Sequence, residues 1–456
     1  MSPHPASFRD PDGFVYNEAG TLYRYVAPSG KAGLERLVSS GLYDTLVESG
    51  LLVAHIDQGP TEEGGCVLQP ERLPFIAHPY EWCFGQLKAA AKTTLALQRS
   101  ALAHTLSLKD ASAFNIAFRG ARPLLFDTLS FAPYHEGEPW AAYRQFCQHF
   151  LAPLALMSRC DIRLAGLLRT YLDGIPLDLA SRLLPRSTRL APGLAMHIHL
   201  HAKAQQAGGE GYVAKPRTVT VSKNGLLGLL DSLESTIDSL RWEPEGTVWA
   251  DYYEATNYTD AALLAKEQLV GELLDAVTPC PTLVWDLGAN TGRFSRLASQ
   301  RGAFTVAWDF DPAAVELDWR DVIQHDERNL LPLTLDLMNP SPRCGWAETE
   351  RESLLDRGPA DVVLALALVH HLALANNTPL PRILAFLAQA GRQVIVEFVP
   401  KSDSQVKRLL AYRPDIFPSY TQDGFEAALE PHFNCLRRAP VPGTERILYL
   451  LKAKNQ

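Results

Sequence analysis

The chain has 456 residues, of which 46% are hydrophobic and 21% charged, and it carries a formal net charge of −8. That length suits two or three domains, and the composition is that of an ordinary globular protein with nothing to suggest disorder. The acidic balance, without any Lys/Arg block, excludes the electrostatic footprint of a nucleic-acid binder, and no apolar run reaches the ~18 residues of a membrane span. Seven cysteines lie scattered without a C-x-x-C pair, and the N-terminus lacks a basic and apolar signal segment, so a cytoplasmic protein is expected.

Along the chain, residues 13–16 and 21–26 read as a short strand pair, followed by a helix from about Ala32 to Leu52. Residues 80–105 read as helix, with Leu87, Leu95, Leu97 and Leu102 at helical spacing. The stretch from Leu106 to Thr128 reads as a loop between two short strands, turning at Arg119–Pro123 and displaying Asp110, Asn115 and Asp127. An Asp, four residues and an Asn, then strand, turn, strand and a further Asp, is the order in which kinase-like folds present a catalytic base and two magnesium ligands. Residues 1–190 are therefore expected to form an α+β domain that resembles a degenerate kinase-like fold. Degenerate is the word because no glycine-rich phosphate loop lies near residues 13–26, and Arg24 stands where the ATP lysine belongs. An arginine there can pair with a phosphate or with Glu35, but it is not equivalent to lysine. Two expectations compete: Mg-ATP held by Arg24, Asp110, Asn115 and Asp127, or turn caps and loop anchors made by the same side chains.

Residues 140–182 read as amphipathic helix, with Trp140, Tyr143, Phe146 and Phe150 as core. His197 and His201 share a helix face but have no third ligand nearby, so packed or solvated histidines are expected and no metal site. Residues 191–245 read as a helical linker, exposed from Gln205 to Lys223 and helical from about Leu226 to Leu240. Just beyond, Tyr252, Tyr253 and Tyr258 are candidates for lid or substrate contacts.

The sequence Val-Trp-Asp-Leu-Gly-Ala-Asn-Thr-Gly-Arg-Phe-Ser over residues 284–295 is an apolar strand that enters a glycine turn and then a helix. Asp286 ends the strand, Gly288 and Gly292 permit a sharp turn close to a ligand, and Asn290 can hold the turn. The spacing is G-x-x-x-G rather than the G-x-G-x-x-G of a dinucleotide site, and an acid two residues before the first glycine suits an ammonium better than a phosphate. A second buried strand ends in Asp309, placed for ribose hydroxyls, and Leu-Thr-Leu-Asp-Leu over residues 333–337 offers Asp336. From about residue 246 to 456 the sequence resembles the class I S-adenosylmethionine-dependent methyltransferases. The resemblance implies a doubly wound, Rossmann-like α/β sheet, with Asp286, Gly288 and Gly292 at the methionine end of the cofactor, Asp309 at the ribose and Asp336 at the adenine amine.

The fourth strand, residues 360–369, runs into His370 and His371, where this family presents substrate-facing groups. A histidine there can take a proton from a hydroxyl or accept a hydrogen bond from an amine. Glu397, at the end of the fifth strand, can orient a histidine or bind a cationic substrate, or it can be a structural salt-bridge partner. The full length, including residues 108–115, 126–131 and 397–401, looks like bacterial proteins described as class I methyltransferases of the nodulation-protein type. That resemblance implies an N-terminal domain fused to a methyltransferase acting on oxygen or nitrogen of a small molecule or saccharide. The alternatives are a bifunctional kinase-methyltransferase and a non-catalytic S-adenosylmethionine-binding scaffold.

Overall fold

The computed structural model describes residues 2–204, 220–244, 260–411 and 414–454. The chain divides into two compact units, Met1–Glu243 with Gly345–Arg351, and Pro244–Cys344 with Glu352–Gln456.

The first unit opens with a four-stranded antiparallel sheet in the order β1 (Gly13–Glu18), β2 (Thr21–Val26), β4 (Cys66–Pro70), β3 (His55–Pro60). Only the first two were expected. The sequence of β3, His-Ile-Asp-Gln-Gly-Pro, is mostly exposed and ends in a proline, which an edge strand tolerates and a central one does not. The single helix expected over residues 32–52 is two helices, Pro28–Ser39 and Leu42–Glu48, because Gly41 at φ +77° breaks the ladder between them. The helix Phe84–Ala103 buries Leu87, Leu95, Leu97 and Leu102 as expected from their spacing. Beyond it, β5 (Leu106–Leu108) pairs with β8 (Phe131–Pro133), and β6 (Ile116–Arg119) pairs with β7 (Arg122–Leu125) across the expected turn.

The long helix expected over residues 140–182 is a series of short ones, including Tyr143–Phe146, Ala152–Arg159 and Leu177–Leu183, interrupted by a π-helical turn at Cys147–Leu151 and by Gly174 at φ +87°. Trp140, Phe146 and Phe150 are core residues. The helix Lys223–Ser239, expected as part of a linker, belongs to this unit: Arg99 bonds Asp231 and Glu234 at 2.6 and 3.0 Å, and Lys92 bonds Asp238 at 2.9 Å.

The second unit is built on a seven-stranded sheet in the order β11 (Leu330–Thr334), β10 (Phe304–Asp309), β9 (Leu283–Leu287), β12 (Ala360–Ala365), β13 (Gly391–Phe398), β15 (Ile447–Ala453), β14 (Phe433–Pro440). The first five strands are parallel, and β15 runs antiparallel to both β13 and β14. The middle strands are near-continuous apolar runs, because a parallel sheet is covered on both faces. Chain order reverses between β9 and β12, and a crevice opens at the carboxyl ends of strands at such a switch point.

Candidate functional site

A cavity of about 490 Å³ occupies that crevice. Among the described residues its wall takes Asp286 from the end of β9, Gly288 and Asn290 from the turn after it, Asp309 and Phe310 from the end of β10, Asp336 and Met338 after β11, and Leu368, His371 and Leu372 after β12. These residues lie at or just past the carboxyl ends of strands, so the sheet itself gathers side chains that are far apart in sequence.

The turn after β9 is shaped by two positive-φ residues, Gly288 at +82° and Asn290 at +52°. The Asn290 N–H donates to Asp309 Oδ2 at 2.8 Å, and the Asp311 N–H donates to Asp309 Oδ1 at 2.9 Å. Asp286 accepts a hydrogen bond from Ser295 Oγ at 2.6 Å. Both carboxylates are buried, at 2% and 8% exposure for Asp286 and Asp309. Burial, with the like charge of Asp309 adding to it, pushes the Asp286 carboxyl up to about 7. Burial also pushes Asp309 up to about 6, against the backbone donors that stabilise its anion. Asp336 lies two residues past the end of β11, exposed, with Oδ1 accepting from the Met338 N–H at 2.8 Å.

Gly292 departs from the expectation. It does not line the cavity among the described residues; at φ +74° it sits over the buried Asp318–Arg296 ion pair, where a Cβ would run into the Asp318 carboxylate. Its smallness serves packing under the turn.

The strand expected through Val369 ends at Ala365, and Ala367 at φ +50° turns the backbone sharply. This brings His371 to the cavity and sends His370 inward, with the rings 4.2 Å apart. His370 is fully buried, and among the described residues neither ring nitrogen has a hydrogen-bond partner. Burial, then His371, Arg446 and Lys266, hold it far below the usual histidine range. Burial and Arg446 push His371 down to about 4, which leaves it neutral at physiological pH.

Glu397, for which a substrate-directed role and a salt-bridge role were both expected, is engaged in a buried ion pair. It is fully buried, and Oε2 accepts from Lys266 Nζ at 2.6 Å and from the Ala367 N–H at 2.7 Å, with Arg446 3.5 Å from Oε1. Lys266, on the helix Asp260–Asp275, does reach the cavity wall and lies over the Phe294 ring at 4.8 Å. It is a site residue that was not singled out from sequence. The signal was a lone lysine flanked by Leu263, Leu269 and Val270 on the buried face of a helix. The candidates Tyr252, Tyr253 and Tyr258 lie outside the described residues.

In the first unit Arg24, Asp127 and Asn115 are joined through Ser130, Asp110 is held separately, and Arg24 Nε is buried without a hydrogen-bond partner among the described residues. The Arg24 guanidinium lies 2.5 Å from Asp127 Oδ1, and Ser130 Oγ donates to Asp127 Oδ2 at 2.7 Å. Asn115 reaches Ser130 Oγ at 3.5 Å. Asp110 Oδ1 accepts from the Ser112 N–H and from Gln145 Nε2 at 2.9 and 2.7 Å. Among the described residues no group of three or more His, Cys, Asp or Glu side chains could hold a metal ion. His197 bonds Tyr143 and Ser232 at 2.8 and 2.9 Å, and His201 stacks on Tyr143. No helix among the described residues is long and apolar enough to cross a membrane.

No family model matches the sequence. Among solved structures, the chain is similar to magnesium protoporphyrin IX methyltransferase (ChlM) from Synechocystis PCC 6803 with bound SAH, at 18% identity and a TM-score of 0.32, over 45% of this chain and 93% of that one. A SAM-dependent methyltransferase from Aquifex aeolicus gives 15% identity and 0.32 over 46% and 100%. WbdD gives 18% identity and 0.30 over 48% and 46%. A full-length relative is nearer: the nodulation protein NoeA of Rhizobium meliloti (strain 1021) is 37% identical over 454 residues, covering 97% of this chain and 94% of the relative. At that identity over nearly the whole of both sequences, the chain belongs to the family of the nodulation protein NoeA.

Proposed function

We propose that the chain is an S-adenosylmethionine-dependent methyltransferase acting on an oxygen or nitrogen of a small molecule or saccharide. The observation that carries this reading is the pair of buried carboxylates, Asp286 and Asp309, at adjacent strand ends around one cavity, with their carboxyls raised to about 7 and about 6. Such a site is incomplete without cationic or hydroxyl groups from a ligand, and its chemistry suits a nucleoside joined to an amino acid.

In this reading Asp286 holds the ammonium end and Asp309 accepts the ribose hydroxyls. Phe310 and Met338 cover the base beside Asp336, and Gly288 lets the backbone pass close. When bound, the cofactor supplies an electrophilic methyl group on a sulfonium. The chain's own task is then to orient the nucleophile and exclude water. His371, neutral and on the cavity wall beyond β12, accepts the hydrogen bond of the acceptor's O–H or N–H, while Leu368 and Leu372 keep that end dry.

The test is transfer of a labelled methyl group from S-adenosylmethionine into metabolite and saccharide fractions by the full chain. Label should appear in an acceptor and vanish with Asp309→Ala. Tight binding of S-adenosylhomocysteine with no label in any fraction would overturn the reading in favour of a binding scaffold.

A further inference from the structure

We propose that Lys266 reads the α-carboxylate of the cofactor's amino-acid end and that Glu397 positions it, an inference that rests on the methyltransferase reading above. A zwitterionic amino acid asks a site for a carboxylate and a cation side by side. The cavity wall supplies both: Asp286 from β9, and Lys266 from the helix Asp260–Asp275. Among the described lining residues Lys266 is the single ammonium or guanidinium.

Its surroundings argue for use rather than mere tolerance. Lys266 is 2% exposed, over the face of Phe294, and burying an ammonium there is costly. Glu397 shares Arg446 with Asp403, so Lys266 completes the neutralisation of the two carboxylates while also lining the cavity wall beside Asp286. Arg446 in turn bonds Asp403 at 2.8 Å, so Glu397, Asp403, Arg446 and Lys266 balance in charge, and Asp286 is left for an incoming ammonium. The Glu397 oxygen that holds Lys266 also holds the Ala367 N–H, in the turn that leads to His371. One buried carboxylate thereby fixes the lysine and the acceptor-side turn together. Burial pulls the Lys266 ammonium toward neutrality, while Glu397 and Asp286 both favour its charge.

The experiment is titration calorimetry of the full chain with three probes: S-adenosylhomocysteine, its decarboxylated analogue, which keeps the amine, and 5′-methylthioadenosine, which lacks the amino acid. In the wild type, loss of the carboxylate should weaken binding about 10–100-fold, the range of one charge-assisted hydrogen bond. The double variant Lys266→Met/Glu397→Gln removes both charges together. It should bind S-adenosylhomocysteine weaker by the same factor and the other two probes within about threefold of wild type. Glu397→Gln alone keeps the lysine but loosens it, and should weaken S-adenosylhomocysteine by less than about tenfold while sparing 5′-methylthioadenosine. Equal wild-type affinity for S-adenosylhomocysteine and its decarboxylated analogue would overturn the proposal. So would a double variant that binds S-adenosylhomocysteine as the wild type does. If the wild type binds none of the probes, the methyltransferase reading itself falls.

Discussion

In the first unit Asp127 lies 2.5 Å from the Arg24 guanidinium and accepts a hydrogen bond from the Ser130 hydroxyl, while Asp110 is held by Gln145 and a backbone N–H. In the second unit Asp286 and Asp309 are more deeply buried, have hydroxyl and backbone donors, and are pushed upward in pKa. The same residue type thus occurs in two settings, one paired with a guanidinium and one buried beside a cavity. Where a guanidinium of the chain pairs with the carboxylate, the arrangement reads as structure. Where burial outweighs the protein's own donors beside a cavity, the arrangement asks for a ligand.

The contrast can be broken most severely at its two best-defined acids. Asp309→Ala should abolish detectable binding of S-adenosylhomocysteine, a loss of at least about 100-fold, with the fold intact by circular dichroism. Retained affinity would refute the ribose assignment. Arg24→Ala should do the reverse. Leaving Asp127 without its cation should cost about 3 kcal/mol of stability, read as a lower Tm or denaturation midpoint, with cofactor affinity unchanged. His371→Ala should lower kcat by about 100-fold and leave S-adenosylhomocysteine affinity as it is, separating the acceptor end from the cofactor end.

A smaller effect is expected from pH. The Asp286 and Asp309 carboxyls sit above their ordinary value of 3.8. Their contribution to the stability of the ligand-free chain is therefore present below about 3.8 and lost as pH rises through 6 and 7. A cationic ligand favours their ionised form, so its affinity should strengthen over the same window. Calorimetry across that range should show a rising affinity, and a flat profile would remove the pair from the binding site. The least effect is expected from magnesium with ATP, which should leave the Tm unmoved because Asp127 is already engaged by Arg24 and Ser130.

The sequence is most legible where the chemistry is local. Residues 284–295 encode strand, glycine turn and helix in one stretch, and Asp309 declares itself by ending an apolar run. The parallel sheet then brings these segments to one edge. Glu397 and Lys266 are 131 residues apart, and no local pattern announces that they meet; a strand-end acid looks the same whether it faces a ligand or a buried lysine. Gly292 misleads for a similar reason, since the Asp318 carboxylate beneath it comes from a helix further along the chain. In the first unit the order Asp110, Asn115, Asp127 is visible in the sequence, but its electrostatic state is not, because Arg24 arrives from a strand in another sheet.

We propose that the cavity at the carboxyl ends of β9, β10 and β12 takes S-adenosylmethionine, and titration of the full wild-type chain and of Asp309→Ala with S-adenosylhomocysteine at neutral pH tests this most directly. Saturable one-to-one binding that the substitution removes is the expected result; absence of binding to the wild type, or equal binding to both proteins, would rule the assignment out.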